Sequence, residues 1–161
     1  MVLDGIRYAI FTAKLSCRGI DFGIVRSPMA FSAQWDSAAR MLRVTGAGAG
    51  SLVEARDILE TLRALTVPAE RAAILLDVRA YDYLPSGGEA RVIAEWFSTF
   101  SVAFQCRIAY LTTPGAQFGV GRMVQIISEL RGAAAGAFID EAAALRWLHL
   151  PEARSHEATG A

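Results

Sequence analysis

LLDVRAYDYLPSGGEARV, residues 75–92, decides the reading of this chain. An unbroken apolar run, AAILLDV (72–78), ends in Asp77 and Val78. Such a run suits a strand buried on both faces, as in a parallel sheet. A short polar stretch follows, and then Ser86-Gly87-Gly88-Glu89 opens an amphipathic segment. Ser and Glu three residues apart read as a capping box, so a helix is expected over 86–100. Its inner face would carry Ala90, Ile93, Phe97 and Phe100. Strand followed directly by helix is the unit of an α/β sheet.

The pattern repeats outward from this stretch. FSAQWD (31–36) and MLRVTGAG (41–48) alternate apolar and polar residues around the link 37–40 and predict a β-hairpin. Ser51 to Leu65 forms a second capped helix with a stripe at Ala55, Ile58, Leu59, Leu62 and Leu65, and Val67-Pro68 ends it. CRIAYLT (106–112) is another buried strand. Thr113-Pro114 reads as cap plus first helical proline of a helix striped by Val120, Met123, Val124, Ile127 and Leu130. GAAAGAF (132–138) is a weak strand, and Asp140 caps a last helix bearing Ala144, Trp147 and Leu148. The order β-β-α-β-α-β-α-β-α implies a mixed, mostly parallel sheet of about five strands with four helices and a leading hairpin.

The 161 residues are 53% apolar and carry no net charge, which fits one domain with a real core. The regular pattern begins after Met29, so residues 29–150 form the domain. Residues 1–28 read as an irregular extension, either genuine or lying upstream of a start at Met29. Residues 151–161 read as a disordered tail. Balanced charge and the absence of any Lys/Arg cluster argue against nucleic acid as a partner. No apolar run nears the roughly 20 residues that span a bilayer. Cys17 and Cys106 read as reduced thiols of a cytoplasmic protein. Two cysteines with His149 and His156, so scattered, make no zinc site.

ILLDV, TPGAQFGVGRMVQII and AFIDEAAALRWL, in this order of elements, resemble the STAS-like domains, closest to their SpoIIAA-like branch. Asp77, Gly119, Arg122, Met123 and the segment Phe138–Leu148 carry the likeness, which spans about residues 30–149. The resemblance implies a STAS-like α/β fold and a non-catalytic regulatory or interaction role. Related anti-sigma-factor antagonists carry a phosphorylated serine in an Asp-Ser-Ser-Gly motif. Here Pro85 stands at the aspartate, Ser86 at the first serine and Gly87 at the phosphoacceptor. The phosphoswitch is therefore absent unless Ser86 substitutes from one position away.

Two function classes follow. The first is a protein-interaction module working through Asp77, Asp82, Ser86, Gly87, Gly88, Glu89 and Arg122, with Tyr81, Tyr83 and Trp96 as an aromatic patch beside Ser86. The second is a small-molecule or lipid-binding protein with an apolar cleft at Ile93, Trp96, Phe97 and Phe100. A homo-oligomer is compatible with either. No catalytic residue, metal or cofactor is assigned. Ser86 has no histidine base nearby in the predicted topology. GAGAGS (46–51) has serine where the dinucleotide fingerprint needs its last glycine, and it follows a hairpin instead of a first strand.

Overall fold

The computed structural model describes residues 25–26, 31–36, 38–66 and 73–149. Its elements are β1 (Val25–Arg26), β2 (Phe31–Asp36), β3 (Met41–Ala49), α1 (Leu52–Thr66), β4 (Ala73–Asp82), α2 (Gly87–Phe104), β5 (Arg107–Leu111), α3 (Ala116–Leu130), β6 (Ala134–Phe138) and α4 (Glu141–Leu148). They form one mixed sheet in the order β1-β2-β3-β4-β5-β6. The β1–β2 and β2–β3 pairs are antiparallel, and β3 through β6 run parallel. This is the architecture that the STAS-like resemblance implied. One strand was not expected: Val25–Arg26 lies in the stretch read as irregular, yet pairs with Ala33 and Ser32. Among the described residues the sheet thus has six strands, where about five were expected. The remaining extension, the stops at Val67-Pro68 and Pro151, and the tail lie outside the described residues.

Strand order fixes the layers. Each parallel strand is the immediate neighbour of the one before, so right-handed crossovers place α1, α2 and α3 on one face. That face buries Leu42, Val44, Ile74, Leu76, Ile108 and Tyr110 beneath the three helices. Helix α4 is followed by no further strand among the described residues and folds against the other face. There Ala144 and Leu148 meet Met41, Leu75, Ala109 and Leu111. Ile74 and Leu75 are both fully buried, as the unbroken apolar run of β4 requires.

Several boundaries move for physical reasons. Strand β4 continues to Asp82 because the small residues Ala47–Ala49 extend β3 and pair with Ala80–Asp82. Helix α3 starts at Ala116 with Gly115 as its cap, not at Thr113-Pro114. Gly115 has φ +94°, where glycine is favoured. No side chain caps this helix; Gln117 instead reaches back, its Oε1 accepting from Thr113 N at 2.6 Å and from Thr113 Oγ1 at 2.9 Å. Leu130, expected on the inner stripe of α3, is 83% exposed at the helix end.

One outward backbone group of the β6 edge is met by a side chain. Phe138 directs its carbonyl to β5, where Thr112 N donates to it at 2.9 Å, so the adjacent Ala137 N–H points outward. Gln125 Oε1 of α3 accepts from that N–H at 3.0 Å. Arg122 holds the same oxygen at 2.6 Å, and Gln125 Nε2 donates to Glu129 at 2.8 Å. An uncovered edge is a template for pairing with other chains. Gln125→Ala is expected to cost about 1 kcal/mol by leaving this donor unmet, read from urea unfolding. Light scattering is expected to show faster self-association of the variant.

Candidate functional site

Two neighbouring regions form around the upper half of β4, on opposite faces of the sheet. Thr45 pairs with Asp77, but Ala47 pairs with Ala80, so two steps along β3 match three along β4. Side chains alternate faces along a strand, and one extra residue reverses the alternation. Ile74, Leu76 and Val78 face the three-helix side, and beyond the irregularity Tyr81 and Tyr83 do so as well. Asp77 and Arg79 turn to the α4 side.

On that side a charged network spans three elements. Asp77, only 8% exposed, accepts from Arg79 N (3.2 Å), Nε (3.0 Å) and Nη2 (2.7 Å). Glu141, at the start of α4, accepts from Arg43 at 2.7 Å and from Arg79 at 3.2 Å. Burial opposes the charge on Asp77, but the hydrogen bonds from Arg79 and the charges of Arg79 and Arg43 outweigh it and hold the carboxyl below its ordinary value. A carboxyl with a depressed folded pKa stabilises the protein above its unfolded pKa, and that contribution is lost as pH falls through the folded value. Wild type is therefore expected to lose stability below about pH 4. Asp77→Asn is expected to be less stable at neutral pH and to lose less on acidification, measured as Tm against pH.

On the three-helix side lies an apolar cavity at the carboxyl ends of the parallel strands. It is lined by Phe31, Ile58, Val78, Tyr83, Phe97 and Val120, among others, and opens to the surface. Its volume is about 90 Å³. Crevices at this end of an open α/β sheet are a usual place for ligands. Tyr81 forms part of the wall and is latched: its hydroxyl accepts from Ser51 N at 3.1 Å and donates to Glu54 at 3.4 Å. The Tyr81 ring stands 4.5 Å from that of Phe31. Gln117 completes the wall, donating to the carbonyls of Val78 at 2.8 Å and Tyr81 at 3.3 Å.

The glycine-rich stretch 46–51 makes room for these rings. A Cβ on Gly46 would lie 2.4 Å from the Phe31 ring, and one on Gly50 would lie 2.0 Å from the Tyr81 ring. Gly50→Ala is expected to push Tyr81 off its latch and to cost about 1–3 kcal/mol by overpacking. Denaturant unfolding measures the loss, and near-UV circular dichroism is expected to report the displaced tyrosine.

The residues proposed from sequence are only partly gathered. Ser86 caps α2 as expected: its Oγ accepts from Glu89 N at 3.4 Å, and Glu89 accepts from Ser86 N at 2.8 Å. That backbone bond leads the causes that hold Glu89 below the ordinary carboxyl range. Asp82, Ser86, Gly87 and Gly88 are exposed here. Asp77 is not with them, since it is buried on the other face, and Arg122 serves the β6 edge. No three potential metal ligands converge among the described residues. Tyr81 is buried and Tyr83 and Trp96 are half-buried, so the expected exposed aromatic patch does not form. Of the expected cleft, Ile93 and Phe97 line the cavity. Trp96 and Phe100 do not, and Phe100 is fully buried against Phe104 at 4.8 Å. Phe31 and Gln117 were not expected here, and Tyr81 and Tyr83 were expected on an exposed patch instead of in this wall. Only the tyrosine pair gave a sequence signal, and its position depends on the extra residue in β4.

No family model matches this chain, and no curated protein does. Among solved structures, an uncharacterised protein of the DUF3478 family from Shewanella loihica PV-4, described with a SpoIIAA-like fold, is 18% identical. The match covers 78% of this chain and 90% of that one, with a TM-score of 0.46. No helix among the described residues is long and apolar enough to cross a membrane.

Proposed function

We propose that this domain is a non-catalytic binding module that takes a small apolar ligand into the cavity between α1, α2, α3 and the sheet. The cavity itself carries this reading. Well-packed interiors leave few voids larger than a water molecule, whereas this one has room for several and opens at the strand ends. Its walls are held by specific devices: the Tyr81 latch on Ser51 and Glu54, and the Gln117 bridge to β4. Both belong to the chain's own hydrogen bonding, so the space is pre-formed, which lowers the cost of binding.

The interaction surface expected around Ser86 has less support. Its glycines and Ser86 are accounted for by the start of α2, and two of its charged members are engaged elsewhere. The size of the enclosed space favours the smaller ligands of the second class. About 90 Å³ is less than the roughly 150 Å³ that accommodates benzene in an engineered cavity. A ligand the size of one ring would fill it and reach the mouth, whereas a long acyl chain would not be enclosed.

Ala55 lies on α1 at the cavity wall and is half-buried. Ala55→Phe is expected to fill the space. Native mass spectrometry of wild type purified from its own host is expected to show a small non-protein mass lost on unfolding and missing from Ala55→Phe. A bare wild-type chain that also fails to bind any small apolar compound added in excess would refute the reading.

A further inference from the structure

The polar groups around the cavity narrow the ligand further. Among the described residues, no charged side chain lines it. Gln117 has both ends of its amide engaged, by Thr113 on one side and the carbonyls of Val78 and Tyr81 on the other. Thr112 Oγ1 is engaged by Phe138 O at 3.3 Å, and the Tyr81 hydroxyl by Ser51 and Glu54. Two tyrosines remain. The hydroxyls of Tyr83 and Tyr110 are buried, the first turned toward Glu89 and the second toward Ser128, and neither presents its oxygen to open space. Burial, followed by the nearby Glu89 carboxylate, pushes the Tyr83 pKa up to about 12; burial likewise raises that of Tyr110. These rings meet the cavity with carbon.

We infer that the occupant enters through an uncharged aromatic ring, held by the ring faces and edges of Phe31, Tyr81, Tyr83, Phe97 and Tyr110 and by no hydrogen bond. Phe97 and Tyr110 already stand edge to face at 5.5 Å, and Tyr81 and Tyr83 at 6.0 Å. A further ring adds to such a cluster at the geometry that aromatic pairs prefer. A carboxylate or phosphate inside would lose its hydration with no cation or donor to replace it. Any polar group of the ligand therefore stays at the mouth. This inference rests on the cavity reading and adds the chemical class of the ligand to it.

The test uses the full chain and four probes: fluorobenzene, cyclohexane, benzoate and decanoate. Fluorobenzene binding is followed by fluorine NMR and the others by competition against it and by direct calorimetry. Fluorobenzene is expected to bind at least about tenfold more tightly than benzoate, and more tightly than cyclohexane and decanoate. Ala55→Phe is expected to abolish its binding while circular dichroism reports an intact fold; Val120→Phe, from the opposite wall, replaces that variant if it does not fold. Tyr83→Phe, which keeps the ring and removes the hydroxyl, is expected to leave fluorobenzene affinity within about twofold. If benzoate, decanoate or cyclohexane binds more tightly than fluorobenzene and Ala55→Phe blocks it, the cavity reading stands and the ring inference is overturned. A large loss of fluorobenzene affinity in Tyr83→Phe also overturns it. If none of the four binds, both fail.

Discussion

Everything distinctive about this domain depends on the pairing of β3 with β4, and above all on the one residue by which they disagree. Below the irregularity, β4 alternates in step with β3 and contributes both halves of the core. Above it, the alternation is reversed, and Tyr81 and Tyr83 arrive on the same face as Val78. Without that extra residue, the two rings would point toward α4, where Asp77, Arg79, Arg43 and Glu141 now form their network. One backbone feature therefore separates a charged seam from an aromatic cavity across a single strand.

The two sides are stabilised by different physics. The α4 side uses charge-assisted hydrogen bonds at an incompletely covered part of the sheet, where Arg79 remains 41% exposed and solvent screens much of the attraction. The three-helix side uses apolar burial, and its few polar groups serve to position rings. Tyr81 illustrates the coupling: it is packed on Gly50, tilted against the Phe31 ring, and joined to the first turn of α1 through Ser51 and Glu54. The cavity wall and the start of a helix are thus one construction. Ser51 shows it too, because the backbone N–H that a capping box would give to Glu54 goes instead to the Tyr81 hydroxyl.

Arg122 and Gln125 extend the same economy to the far edge. A polar helix residue that resembled a family signature in sequence turns out to hold Gln125 against the outward N–H of Ala137. The need met there is backbone satisfaction at a sheet edge, which in this chain a helix side chain supplies at Ala137.

Local chemistry made the element order legible. Ser86 with Glu89, Asp140 before Glu141, and the apolar run through Ile74 and Leu75 each state their structure within a few residues, because caps and hydrophobic period are short-range properties. The sheet type followed from that order through the handedness of crossovers. Ile93 and Phe97 were legible as cavity residues because the helical period already placed them inward. The rest depended on pairing between distant segments. Where β4 ends, which face Asp77 and Tyr81 take, and why Gly46 and Gly50 are glycines are all set by contacts between strands or with rings some 15 to 35 positions away. A single-residue slip in a strand reverses every side chain beyond it, and nothing in the residues 75–92 alone declares that slip. From sequence the chain determined which segments are strands and helices; only the register of β3 against β4 decided that a cavity, and not a charged surface, stands at the strand ends.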